Sequence, residues 1–129
     1  MTQRNRLFHI TMVVPGNLAA GAGQATHSVM TRCRILEAEA ALNTTGATSG
    51  NTDVDVNKGG ASIMAAQALR IAQGSATKFV KAKPSVGVVG EPAGVPCEVG
   101  DVITVDVDAI PGTTSKDLTV RLLCMAVDV

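Results

Sequence analysis

The chain has no tryptophan, no tyrosine and only two phenylalanines, Phe8 and Phe79, in 129 residues. Aromatic faces are what proteins use to stack on bases, planar ligands and sugar rings, so those functions are not expected. Net charge is missing too: eleven basic residues balance eleven acidic ones. That removes the basic stripe of a nucleic-acid binder, and no nucleic-acid partner is expected. It also removes the like-charge repulsion that keeps copies of a protein apart. No run approaches the roughly 18 apolar residues of a membrane span, so no membrane partner is expected either. The start, "MTQRNRLFHITMVV", has basic residues, but its apolar positions alternate with polar ones and do not read as a secretory signal. The three cysteines, Cys33, Cys97 and Cys124, are odd in number and far apart. None forms a Cys-x-x-Cys pair. They are expected as small buried hydrophobes in a chain that folds in a reducing compartment, the cytoplasm.

What the chain does have is alternation with a period of two, broken by Gly and Pro. Phe8, Ile10, Met12 and Val14 alternate with polar residues up to Pro15-Gly16, which predicts a half-buried strand. "PGNLAAGAGQATHS" has no periodicity and reads as a flexible loop or extended arm. The stretch "VMTRCRILEAEAAL" carries good helix formers, yet its alternation favours a strand from Val29 to Leu42, with Leu36, Ala38 and Ala40 on one face. "TDVDVN" is a strand with Val54 and Val56 inward and Asp53, Asp55 and Asn57 outward. Gly59-Gly60 turns it, and a returning strand is expected at least through Ala65 in preference to a helix over 61–73.

Further on, "GSATKFVKAKP" reads as a short edge strand guarded by three lysines. "SVGVVGEPAGVPCEVGD" reads as loop. "DVITVDVDAI" and "LTVRLLCMAV" are the last strands, with Ile103, Val105, Val107 and then Leu118, Val120, Leu122, Cys124 facing the core. Short strands joined by Gly and Pro turns predict an all-β, jelly-roll-like antiparallel β-sandwich with an extended N-terminal segment. Residues 1–28 are expected as an N-terminal strand and arm, and residues 29–129 as the sandwich domain.

The repeated Asp-Val-Asp is the one constellation that invites chemistry. In a strand, residues i and i+2 share a face, about 7 Å apart. Asp53 with Asp55, and Asp106 with Asp108, therefore form two acidic patches, which could converge on calcium if their strands were neighbours. No Asp-x-Asp-x-Asp-Gly loop accompanies them, so a polar outer side, solvated or facing another subunit, is the favoured reading. His9 and His27 have no acidic or cysteine neighbour that would complete a zinc site. The glycines of "GAGQAT" lack the Lys and Ser/Thr of a phosphate loop. No catalytic residue, metal or cofactor is expected, and an enzyme is the least favoured class.

With these strands and turns in place, the sequence resembles a small β-domain common among virion proteins of tailed bacteriophages. The first hairpin of that pattern is carried by Asp53, Val54, Asp55, Val56, Asn57, Lys58, Gly60, Ser62 and Ile63. The second is carried by Gly100, Asp101, Ile103, Val105, Asp106, Val107, Asp108, Gly112, Asp117, Leu118 and Val120. Gly59 departs from it, standing where Asn is usual, and the Ala- and Lys-rich stretch from Ala65 to Lys83 departs as well.

The resemblance implies a jelly-roll fold and a place among capsid decoration (cement) proteins or modules of tail fibres. The expectation is a decoration protein, a homotrimer binding the major capsid protein on the outer head. A chain of this length favours that over a fibre, which needs long repetitive segments. A tail-fibre or receptor-binding module is the alternative, and the shortage of aromatic hot-spot residues speaks against it. Arg4, Arg6, Phe8, Lys78, Lys81 and Lys83 are the candidate capsid or subunit contacts.

Overall fold

The computed structural model describes residues 6–46, 49–65, 68–76, 78–85, 94–112 and 115–127. Those residues form the strands β1 (Arg6–Asn17), β2 (Gly21–Ser28), β3 (Cys33–Thr44), β4 (Asn51–Lys58) and β5 (Ala61–Ser62). The chain continues with β6 (Leu69–Ala72), β7 (Phe79–Ala82), β8 (Val95–Cys97), β9 (Val102–Ala109) and β10 (Lys116–Ala126). No helix occurs among the described residues.

The strands build two antiparallel sheets packed face to face. One has the order β1-β10-β3-β7, with β8 also on β3; the other has β2-β9-β4-β5, with β6 also on β4. Setting aside the two short strands β5 and β8, eight strands remain. Their order, β1-β10-β3-β7 over β2-β9-β4-β6, is the double Greek key of a jelly roll. The all-β sandwich expected from alternation is therefore the fold of the chain.

The core lies between the sheets and is almost wholly aliphatic. Leu118, Val120, Leu122 and Cys124 of β10 are fully buried, as are Ile103, Val105 and Val107 of β9 on the other sheet. Burying a Val, Leu or Ile side chain contributes about 1.5–3 kcal/mol, so these two strands hold much of the fold. Among the buried polar side chains, Thr52 and Ser115 satisfy each other across the core at 2.8 Å.

Four local readings need correction. First, "GAGQATHS" is neither loop nor arm: it is β2, paired with β9, and β1 pairs with β10, so residues 6–28 belong to both sheets. Its side chains are mostly exposed, and its register shifts between Gly21 and Ala25. Backbone pairing holds it, and that leaves no hydrophobic period in the sequence. Second, the return after Gly60 pairs as a strand only over Ala61–Ser62, and pairing with β4 resumes at β6. Third, Val95–Cys97 lies within the stretch read as loop, yet it pairs with Cys33–Ile35.

The fourth correction concerns β3. It is a strand, but its alternation slips. Cys124 lies opposite Ile35 and Leu123 opposite Glu37, so Leu36 is the extra residue of a bulge. Cys33 and Ile35 face the core before the bulge; Ala38, Ala40 and Leu42 face it afterwards. Leu36 is only half-buried and does not share the face of Ala38.

Gly94, just before β8, packs against this bulge with φ +104°; a Cβ there would stand 2.7 Å from the Ile35 carbonyl oxygen and 3.0 Å from Leu36 Cδ2. Because the closest obstacle is backbone, Gly94→Ala is expected to destabilise the fold by about 1–3 kcal/mol. Chemical denaturation of the variant measures this, and an unchanged midpoint would contradict the packing.

Candidate functional site

The two Asp-Val-Asp repeats, at 53–55 and 106–108 in the chain, meet on adjacent strands. β4 and β9 run antiparallel with Val54 opposite Val107, Asp55 opposite Asp106 and Val56 opposite Val105. Between Val54 and Asp53 the register shifts, so that Asp53 lies opposite Ala109 and Asp108 has no opposite residue. This bulge re-aims Asp108, as bulges do beside functional surfaces. The result is an acidic groove of about 440 Å³ lined by Asp53, Asp55, Asp108, Val54, Ser62, Met64 and Ala65.

Three of the four carboxylates tie strands together. Asp53 accepts two hydrogen bonds from the Arg70 guanidinium of β6, at 2.7 Å from Nε and 2.9 Å from the second nitrogen. Asp55 accepts from the Ser62 hydroxyl of β5 at 2.6 Å and from the Val56 backbone at 2.9 Å. Asp106 accepts from Asn57 Nδ2 of β4 at 2.7 Å and from the Gly23 backbone N–H of β2 at 2.8 Å. Asp53 and Asn57 are buried, at 8% and 6% exposure. The outer side of β4 is therefore not the open polar face expected: the chain returning through Ser62 and Arg70 covers part of it.

Asp108 alone among the four lies exposed, and its carboxyl is held above the usual range, first by partial loss of solvent and then by Asp55, Asp106 and Asp53. Among the described residues, no group of three or more His, Cys, Asp or Glu has an arrangement that could hold a metal ion. The repeats thus meet on adjacent strands, where Asp53, Asp55 and Asp106 are engaged in hydrogen bonds between strands and Asp108 is not. What the groove offers chemically is a negative field around one exposed carboxylate, suited to a cationic side chain.

The remaining candidates are spread over the molecule. Arg4 lies outside the described residues. Arg6 and Phe8 are on β1 and Lys81 is on β7, at opposite edges of one sheet. Lys78 Nζ donates to the Asn43 carbonyl at 3.0 Å, Lys81 sits 3.7 Å from Glu37, and Lys83 is exposed. These residues do not form one contact patch.

Sequence reasoning missed the cysteine cluster. Cys33 lies opposite Cys97 across β3 and β8, with Cys124 close by. The Cys97 thiol donates to the Val95 carbonyl at 3.7 Å and the Cys124 thiol to the Leu122 carbonyl at 3.6 Å. All three are free and buried. The Cys33 thiol is raised to about 11, chiefly by the neighbouring Cys124 thiol; that of Cys97 is raised too, first by Cys33 and then by burial. Only spacing was available in the sequence, and the β3–β8 pairing that brings 33 to 97 left no local mark.

No model of a known protein family matches the chain, and no curated protein matches it.

Two outcomes follow from this geometry. An Asp carboxyl raised in the folded state binds its proton more tightly there than in the unfolded chain, so its ionised form lowers stability. That loss is absent below the unfolded value of 3.8 and complete above the raised folded value. Asp108→Asn is therefore expected to stabilise the protein at neutral pH by up to about 0.5 kcal/mol, and by nothing at pH 3. Thermal melts of both proteins across pH measure it; a destabilised variant at neutral pH would contradict the crowding of carboxylates. As for the cysteines, all three thiols are buried, so all three are expected to be silent to a disulfide reagent in the native protein and to react fully in denaturant. Prompt native labelling would contradict their burial.

Proposed function

We propose that the chain is a virion structural protein, a capsid decoration protein that binds the outer surface of the head where capsomers meet. The observation that carries this reading is that both segments of the phage-virion resemblance belong to one jelly roll. The first is the β4–β5 hairpin. The second is not a hairpin, since β9 pairs with β2 and β4 while β10 pairs with β1 and β3 in the other sheet, but β4 lies against β9. The two Asp-Val-Asp stretches of the resemblance are thus spatial neighbours. Within them, Asp55 and Asp106 act as strand ties, a structural use of these polar side chains rather than a reactive one.

A fold does not by itself name a function, and jelly rolls serve capsids, lectins and cupins alike. The aliphatic core and scarcity of aromatic side chains weigh against a glycan-binding role. On this reading the protein works mechanically. A rigid sandwich bound across a capsomer junction adds contacts that exist only in the expanded shell, so binding favours that state by mass action. The major capsid protein is the partner.

The test adds purified protein to expanded heads of the phage that encodes it, prepared without it, and images them by electron microscopy. Density at fixed lattice positions, with heads that survive heating better, is the expected result. Heads that stay bare at saturating protein would end this reading.

A further inference from the structure

β1 is an edge strand of unusual character. Among the described residues it hydrogen-bonds along one side only, to β10. Natural edges are blunted by lysine, proline or bulges, and β7, at the far edge of the same sheet, carries Lys81. β1 runs regularly from Arg6 to Val14, with no charged residue from Leu7 to Val14 and its proline only beyond that stretch. Leu7 and Val13 on its outer face are 63% and 53% exposed. The adjoining segment adds Met30, 76% exposed. Two grooves, of about 260 and 220 Å³, open along this edge, and both are lined by Phe8 and Thr31.

The segment is also self-complementary. Read outward from Ile10, it places His9 against Thr11, Phe8 against Met12 and Leu7 against Val13. Each pair matches in class: polar with polar, core-facing with core-facing, exposed aliphatic with exposed aliphatic. A strand laid antiparallel on a copy of itself keeps all side chains on their proper faces only in a register that preserves this parity. With zero net charge on the chain, nothing long-ranged opposes the approach of two copies.

We propose that the free edge of β1 pairs antiparallel with β1 of a second copy of this chain, across a twofold axis at Ile10. The two sheets then join into one continuous sheet. Leu7 of each copy covers Val13 of the other, and the open backbone groups of both edges are satisfied. Such an interface is isologous and closes at two subunits, in place of the threefold state expected from the sequence. It does not depend on the virion role.

Sedimentation of the full chain over a dilution series tests the pairing. The expected species is a dimer at about 100 μM that dissociates on dilution. Leu7→Lys/Val13→Lys sets two lysines opposite each other on each side of the axis. It is expected to weaken the dimer about a hundredfold or more, while the circular dichroism spectrum stays unchanged because both positions are exposed. Leu7→Cys/Val13→Cys is expected to give a covalent dimer on mild oxidation. Thr11→Cys, whose opposite residue is His9, is expected to give none. A monomer at every concentration, a trimer, a dimer indifferent to the lysines, or an edge occupied only by a strand of another protein would each overturn the proposal.

Discussion

The ladder between β4 and β9 sets Val54 against Val107 and Val56 against Val105, four side chains that are at most 3% exposed. β9 also carries β2 on its other side, and β4 carries both β5 and β6. One sheet of the jelly roll is thus assembled on this pair. With no aromatic ring among its fully buried described side chains, and only Phe8 packed at its margin, the core relies on small aliphatic side chains that must interdigitate closely, as interiors at crystal-like density demand. Ala38 and Ala40 of β3, fully buried, let the facing sheet approach.

The same ladder explains the acids. Because side chains alternate, burying the valines puts the aspartates on the opposite face. There the ladder would set Asp55 directly against Asp106, and like charges facing each other across strands are destabilising. Each is given its own donors: Ser62 for Asp55, Asn57 and Gly23 for Asp106. Asp53 is given Arg70. Asp108, re-aimed by the bulge, is left in the field of the others. The groove is a consequence of how the core is packed, and its carboxylates are spent chiefly on holding β2, β5 and β6 to the central pair.

Much of this was legible in the residues, for a physical reason. β4 and β9 place valine or isoleucine on the core face and mostly polar residues on the other, and β10 begins the same way from Leu118 to Leu122, so their inward residues could be named. β3 was legible as a strand but not in its facing, because the bulge at Leu36 moves the core side from odd to even positions. β2 was illegible because its Gly- and Ala-rich side chains are mostly exposed and only its backbone is engaged. The cysteine cluster and the Arg70–Asp53 pair depend on which strands become neighbours, and pairing order is not written in local periodicity. The turn residues Asn57, Lys58 and Ser62 were visible as a hairpin; that Asn57 and Ser62 also hold the repeated aspartates was not.

Native-state hydrogen exchange tests the central place of the β4–β9 ladder most directly. The amides of β4 and β9 that face each other are expected to be among the slowest in the chain, exchanging only with global unfolding. Those of β5 and β7, at the sheet margins, are expected to open locally and exchange first. Exchange of the β4 and β9 amides through local opening, while the β1–β10–β3 sheet stays protected, would contradict the packing described above.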